Sequence, residues 1–309
     1  MMRRLRETFG HYRYHLRRRL GRMALERASR AIFAAPPLAL RPGPVRVVSM
    51  VSTHDVPMYL VAIRSLYRFL PGGGITVLDD GTLTAADRAA ITRALGAPDF
   101  ARIADIPTGA CPRGGCWERL LHVLDASADS YVIQMDSDVL TFGPVPEVVA
   151  AIEANAAFTL NSEPRFDIVP VEQAAAQVSH HDPRHLQFLA EQTLPSLPPG
   201  LGRLYVRGSA GFAGFARGGA TRATAEAFSA AMAGRLGARW SEWGTEQVAS
   251  NYIVANSPGG HVLPWDRYRC YYDEGLPPNA ALAHFIGTWR FEGGVYLART
   301  RQVLAELSA

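Results

Sequence analysis

The sequence predicts an α/β protein with a mostly parallel, twisted central sheet flanked by helices, entered through a basic helical arm. Three observations carry this. Apolar, β-prone runs alternate with helix-compatible segments between residues 45 and 140, the order that builds a parallel sheet through helical crossovers. One of those runs, Tyr131 to Met135, stops abruptly at Asp136-Ser137-Asp138. The chain is 309 residues long and 48% hydrophobic, so it can bury the core of one large domain or two modest ones.

The elements follow in order. Residues 1–44 read as a basic helical arm and a Pro-rich linker. Leu5, Phe9, Tyr12, Leu16, Leu20, Met23 and Ile32 recur near helical spacing with arginines between them, which fits a surface helix on anionic lipid or a basic helix packed on the domain. Ten arginines against Glu7 and Glu26 in the first thirty residues concentrate positive charge there, although the whole chain is only +4. No nucleic-acid motif accompanies the charge, so nucleic acid is not an expected partner. Pro36-Pro37 and Pro42-Gly43-Pro44 mark the linker. Val45 to Val51 is a buried-type strand and Val56 to Leu70 a helix with Pro57 in its first turn. Ile75 to Leu78 is a strand ending at Asp79-Asp80-Gly81. Thr84 caps a helix through Leu95, with Asp87 as the reciprocal acid. Ala101 to Ile106 is a third short strand, Trp117 to Ala126 a helix, and Tyr131 to Met135 the strand before the acids.

The second half is less regular. Ala156 to Leu160 reads as a strand and Gln173 to Leu194 as polar, His-containing and helical in part. Leu204 to Arg207 leads into the small-residue stretch Gly208 to Phe215. Thr221 to Leu236 is a helix stopped by Gly237, and Glu246 to Asn256 another. Val262 to Pro264 and Ala283 to Ile286 are short extended pieces, and Val295 to Leu307 is the last helix. Cys111, Cys116 and Cys270 make no disulfide framework, and the first two lack companion ligands for zinc. A reducing cytosol is expected. No apolar run is long enough to span a membrane, and Arg17-Arg18-Arg19 interrupt any secretory core.

Chemistry is expected at strand ends, where open α/β sheets bind ligands. Asp136 and Asp138, two apart in an extended segment, point the same way. Their repulsion is relieved by solvent in a turn, or by a hard divalent cation shared with an anionic ligand. Asp79 and Asp80 could accept a base imide N–H or a ribose hydroxyl, or simply form a turn. Gly208 to Gly214 could allow a backbone to approach a ligand closely, or be a tight strand with Phe212 and Phe215 in the core. His284 precedes Gly287 and Arg290, whose guanidinium fork suits phosphate. Two carboxylates and an imidazole suit Mn²⁺, with Mg²⁺ a second choice.

With these residues in place the sequence resembles glycosyltransferases of the GT-A fold, closest in pattern to glycosyltransferase family 8. The resemblance rests on Val47 to Val51, Asp136-Ser137-Asp138, Ser209-Ala210-Gly211-Phe212, Glu246-Gln247, and His284-Phe285-Ile286-Gly287 followed by Trp289 and Arg290, in that order across residues 45 to 292. It implies that Asp136, Asp138 and His284 hold Mn²⁺ and that the metal holds a nucleoside diphosphate sugar. It also implies nucleotide-sugar contacts from Ser52, Asp55, Asp80, Arg119, Ser137, Gly287 and Arg290. Glu246 and Gln247 would sit at the reacting sugar, with Ser209, Gly211 and Trp243 (or Trp240) on the acceptor and sugar side. Arg113 is a second arginine that could reach phosphate. Residues 45–140 would be the nucleotide-binding half and 141–309 the acceptor-side half. Glu246 stands where the family usually has Asp, and Arg290 where it usually has Lys. Asp79-Asp80-Gly81 looks more like the base-binding acid of inverting enzymes. The expected reaction is metal-dependent transfer from a UDP-sugar to a glycan, lipid-linked or small-molecule acceptor, with retention if the departing phosphate takes the acceptor's proton, or with inversion if Glu246 serves as the base. The expected location is cytoplasmic, at the inner face of the membrane. An inactive sugar- or nucleotide-binding scaffold and a nucleotidyltransferase are the other classes considered, and the latter lacks its Gly-rich phosphate loop.

Overall fold

The computed structural model describes residues 2–272 and 274–308, with side chains from residue 14 onward. The side chains of Leu5, Phe9 and Tyr12, part of the expected arm pattern, lie outside the described residues. The strands are β1 (Val45–Val51), β2 (Gly73–Asp79), β3 (Asp99–Arg102), β4 (Tyr131–Met135), β5 (Val139–Thr141), β6 (Phe158–Asn161), β7 (Val169–Pro170), β8 (Leu204–Tyr205), β9 (Gly208–Phe215), β10 (His261–Val262), β11 (Tyr268–Cys270) and β12 (Leu282–His284). The helices are α1 (Met2–Ser29), α2 (Val56–Tyr67), α3 (Ala85–Leu95), α4 (Trp117–Ala126), α5 (Pro146–Glu153), α6 (Val171–Gln177), α7 (Leu186–Thr193), α8 (Arg222–Leu236), α9 (Thr245–Ala255) and α10 (Val295–Ser308).

The main sheet runs β10-β6-β9-β4-β1-β2-β3. Within it β9 alone runs against its neighbours β4 and β6, while the other pairings are parallel. Strands β1 and β4 are buried along almost their whole length, as a sheet covered on both faces requires. The carboxyl ends of β1, β2 and β4 therefore share one edge, with Val51 opposite Asp79. A smaller sheet, β11-β12-β5, lies beyond β4. It is started by the three residues that follow Asp138, and it pairs Val139 directly with His284.

One local expectation shifts, and one pair of alternatives is decided. The third strand begins at Asp99, not Ala101, and Ile103–Asp105 is a 3-10 turn. Its partner β2 ends at Asp79, opposite Arg102, so nothing remains for the later residues to pair with. Of the two readings of Gly208 to Gly214, the tight strand is the one found: Gly208 to Phe215 is buried at the middle of the sheet, with Phe212 and Phe215 in the core. Its small residues serve close packing: a Cβ at Gly214 would stand 2.3 Å from the Phe158 ring. Pairing with β6 jumps between Thr159 and Leu160, so residues 210–212 leave that partner. Such a bulge re-aims the strand, here toward the end of β4.

The arm is packed from its second half onward. Leu25 and Ile32 are buried in the same core as Val47, Tyr59 and Tyr296. Arg41 donates to the carbonyls of Tyr67 and Leu70, which ties the Pro-rich linker to the end of α2.

Candidate metal centre and cleft

Strand pairing brings together residues far apart in sequence. The β5–β12 ladder is extended by Phe285 N–H, which donates to the Asp138 carbonyl at 3.0 Å. Asp136 N–H donates to the Gly211 carbonyl at 2.8 Å, pinning the acidic turn to β9. The result is a cluster of Asp136, Asp138 and His284 whose ligand atoms lie within 4.8 Å of one another. His284 Nε2 is 3.2 Å from Asp138 Oδ1 and 3.6 Å from Asp136 Oδ2. Arg290 Nη2 reaches Asp138 Oδ2 at 2.6 Å, while its Nε donates to the Gly287 carbonyl.

The imidazole is held from behind. Ser209 Oγ lies 3.1 Å from His284 Nδ1, and Cys270 Sγ lies 4.0 Å from the same nitrogen. A partner on Nδ1 turns Nε2 toward the acids, the support that metal-binding histidines use. Gly211 makes the room, since a Cβ there would come 2.1 Å from His284 Cε1. Burial alone would depress the imidazole, but the Asp138 charge and hydrogen bond push it up to about 10. Burial likewise works to raise Asp138, yet His284 and Arg290 hold it below the usual carboxylate range. The Ser137 hydroxyl, between the two acids, is buried without a partner.

Behind the acids lies a buried charged network. The Arg119 guanidinium bonds Asp136 and reaches Glu246 Oε1 at 3.3 Å. Gln134 Nε2 donates to Glu246 Oε1 at 3.3 Å and to the Ala210 carbonyl at 2.6 Å. Trp117 Nε1–H donates to Thr245 Oγ1, locking α4, which carries Arg119, to α9, which carries Glu246. Burial drives Glu246 up to about 7; Arg119 opposes the rise and the Asp136 charge adds to it. Arg119, despite its burial, is held charged by Asp136 and Glu246.

In front of the acids is a cleft of about 370 Å³ that Asp136, Asp138, His284, Gln247, Trp243 and Arg207 help to line. A small annex of about 70 Å³ reaches Arg119, Gly211 and Glu246. The set of two carboxylates and one imidazole, with Nδ1 already partnered, could hold a divalent cation.

No family model matches the chain, and no curated protein does. Solved structures do. The galactosyltransferase LgtC, in complex with donor and acceptor sugar analogs, aligns with a TM-score of 0.50 at 13% identity, covering 85% of this chain and 96% of LgtC. The fold is GT-A. Mouse xyloside xylosyltransferase 1 in its apo form aligns at 0.48, with 13% identity over 79% of this chain and 98% of that one. The WbbM bifunctional glycosyltransferase aligns at 0.46, with 11% identity over 87% of this chain and 53% of its own.

On this GT-A frame the residues singled out in the sequence fall into groups. Asp136, Asp138, Ser209, Trp243, Gln247, His284, Gly287 and Arg290 line the main cleft, and Arg119, Gly211 and Glu246 its annex. Ser209 and Gly211 stand in strand β9, at the back of His284. Trp243 is 79% exposed at the mouth, whereas Trp240 is buried against Phe228 and Trp117. Asp55 lines a neighbouring cleft. The structure brings Ser52, Asp80 and Ser137 to neither cleft wall. Ser52 donates to Asp55, and Asp80 accepts from Thr82 in a turn. Asp79 is likewise committed, to Arg88 and to the N–H groups of Gly81 and Leu83. Arg113 pairs with Glu118 and lines neither cleft nor the annex. Reading the sequence missed Gln134, Cys270 and Arg207. A polar Gln134 inside an apolar strand was a usable signal; the other two were not marked by any local pattern.

Proposed function

We propose that the protein is a metal-dependent glycosyltransferase that moves a sugar from a nucleoside diphosphate sugar, a UDP-sugar by its family 8 resemblance, to an acceptor hydroxyl. The observation that carries this is the convergence of Asp136, Asp138 and His284 beside a cleft that also holds Arg290. Asp136, Asp138 and His284 would hold Mn²⁺ (Mg²⁺ as second choice), and the cation would supply Lewis-acid stabilisation of the departing diphosphate. Arg290 adds a fixed positive fork to the same charge. Ser209 and Gly211 keep the imidazole aimed. Trp243 offers an apolar face for a sugar ring, and the Gln247 amide offers a donor and an acceptor beside it.

Retention is the stereochemistry this arrangement favours. Among the described residues lining the main cleft, the carboxylates are Asp136 and Asp138, both committed to the cation. Glu246 is turned into the annex and held by Arg119 and Gln134, so it stabilises charge from behind rather than serving as a free base. The leaving phosphate would then take the acceptor's proton. Residues 45–140 would serve the donor and residues 141–309 the acceptor, a glycan, lipid-linked or small molecule.

The arm supports a location at the cytoplasmic face of a membrane. No helix among the described residues is long and apolar enough to cross one. Leu16, Leu20 and Met23 share one face of α1 by their spacing and are exposed, while Leu25 and Ser29 pack on the opposite face.

Calorimetry with UDP and GDP, with and without Mn²⁺, tests the assignment. Mn²⁺-dependent UDP binding is expected, and Asp138→Ala should abolish it. Binding that survives Asp138→Ala unchanged would instead fit an inactive scaffold.

A further inference from the structure

A second cleft, of about 350 Å³, adjoins the first and shares Gly287 and Arg290 with it. One wall is α1, through Arg22, Leu25, Glu26 and Ser29; His54 and Asp55, after the end of β1, face it. Gly21 admits the helix so close that a Cβ there would stand 3.0 Å from the Phe291 carbonyl oxygen, in the same 3-10 turn as Arg290. Ser29 is 1% exposed and its Oγ has no hydrogen-bond partner. A buried hydroxyl left unpaired is costly, and this one belongs to a cleft wall. Arg22 Nε donates to Glu26 Oε1 at 2.7 Å, so a guanidinium and a carboxylate stand paired at the rim.

The order of the two clefts matches the order of one molecule. A nucleoside diphosphate sugar carries its charge in the middle and an uncharged, hydroxyl-bearing group at each end. Here the cation-binding acids and Arg290 lie at the junction. The Trp243 lobe lies on one side, and the lobe under α1 on the other. Glu26 and Asp55 disfavour a further phosphate in the second lobe, and suit ribose hydroxyls or base N–H donors. We infer that the second half of α1 is a wall of the donor site, closing over the nucleoside, with Ser29, Glu26 and Arg22 as its polar contacts. This rests on the glycosyltransferase reading. It makes the basic arm part of the binding machinery and not only a tether.

The test separates nucleoside from diphosphate. In the full chain with Mn²⁺, UDP, GDP and inorganic pyrophosphate are titrated against wild type, the double variant Arg22→Ala/Glu26→Ala and Ser29→Ala. The rim pair is largely exposed, with side-chain accessibilities of 58% and 49%, so its removal leaves the fold intact. The double variant is expected to weaken the preferred nucleotide about tenfold, and Ser29→Ala several-fold, with pyrophosphate affinity unchanged for both. Hydrogen exchange should slow at residues 22–29 when the nucleotide binds, and not when pyrophosphate does. Nucleotide affinity equal in wild type and both variants overturns the inference while leaving the transferase reading intact, as does a parallel loss of pyrophosphate. Wild type that binds neither nucleotide nor pyrophosphate removes the transferase reading itself.

Discussion

At the scale of single residues, two groups that line the annex set the shape and charge of the site. Gly211 is one. Its backbone lies in a strand that any residue could adopt, so its requirement is purely for space beside the His284 ring. Gly211→Ala should cost about 1–3 kcal/mol of stability through local overpacking and lower Mn²⁺-dependent UDP affinity about 10–100-fold through a displaced imidazole. Calorimetry and urea unfolding on the same variant measure both; intact binding would show that the ring is not held there. Glu246 is the other. Its folded pKa of about 7 stands above its ordinary 4.5, chiefly through burial. The folded state therefore keeps a proton that the unfolded chain has released, and stability falls as pH rises between these values. Glu246→Gln cannot titrate. Its unfolding free energy relative to wild type should rise by about 3 kcal/mol from pH 4 to pH 8, and a pH-independent difference would refute the assignment. The sequence displayed the acids of this centre because they end an apolar run. It concealed the role of Arg119, whose partners Asp136 and Glu246 stand 17 and 127 residues away.

At the scale of elements, local signals translate well and mutual ones poorly. The capping box of α3 is an example of the first: Thr84 Oγ1 accepts from Asp87 N–H, and Asp87 accepts from Thr84 N–H. Asp87 also accepts from Thr53 Oγ1, which ties the turn after β1 to α3. Thr84→Ala should cost about 1 kcal/mol and leave UDP binding unchanged, because the Thr53–Asp87 bond survives. A urea midpoint that drops with its slope preserved would register this; lost nucleotide affinity would mean that the cap positions the cleft. Strand β9 is an example of the second kind. Gly208 to Gly211 carry no large apolar residue, and Phe212 and Phe215, three apart, enter different core clusters, so no inside or outside face is legible and the strand's length and antiparallel sense come from neighbours that it meets only in the folded sheet. The three-residue strand β12 is too short for any periodicity, yet its pairing with β5 delivers His284 to the acids. The candidate ligands Asp136, Asp138 and His284 were thus readable one by one, and the framework that joins them was not.

At the scale of the whole molecule, the two faces of α1 differ in what they meet. One face, through Leu25 and Ser29, belongs to the core and the second cleft. The opposite face presents Leu16, Leu20 and Met23, with Leu20 and Met23 each 55% exposed. Arg17, Arg19 and Arg27 lie around that stripe and are exposed as well. Apolar side chains at an interface gain by leaving water, and each arginine near an anionic surface adds about 1 kcal/mol. A donor site roofed by the same helix would then be oriented by the bilayer, which suits an acceptor presented at a membrane. Full-length protein should sediment with phosphatidylglycerol vesicles at low salt and not with neutral phosphatidylcholine vesicles. Removing two charges in Arg17→Ala/Arg19→Ala should weaken that binding by about 30-fold, and Leu20→Glu should weaken it by burying a charge. Neither change touches the residues that wall the second cleft, so UDP affinity in solution should stay at its wild-type value. Equal sedimentation with both lipids, or none with either, would leave α1 with its inward face as its whole function.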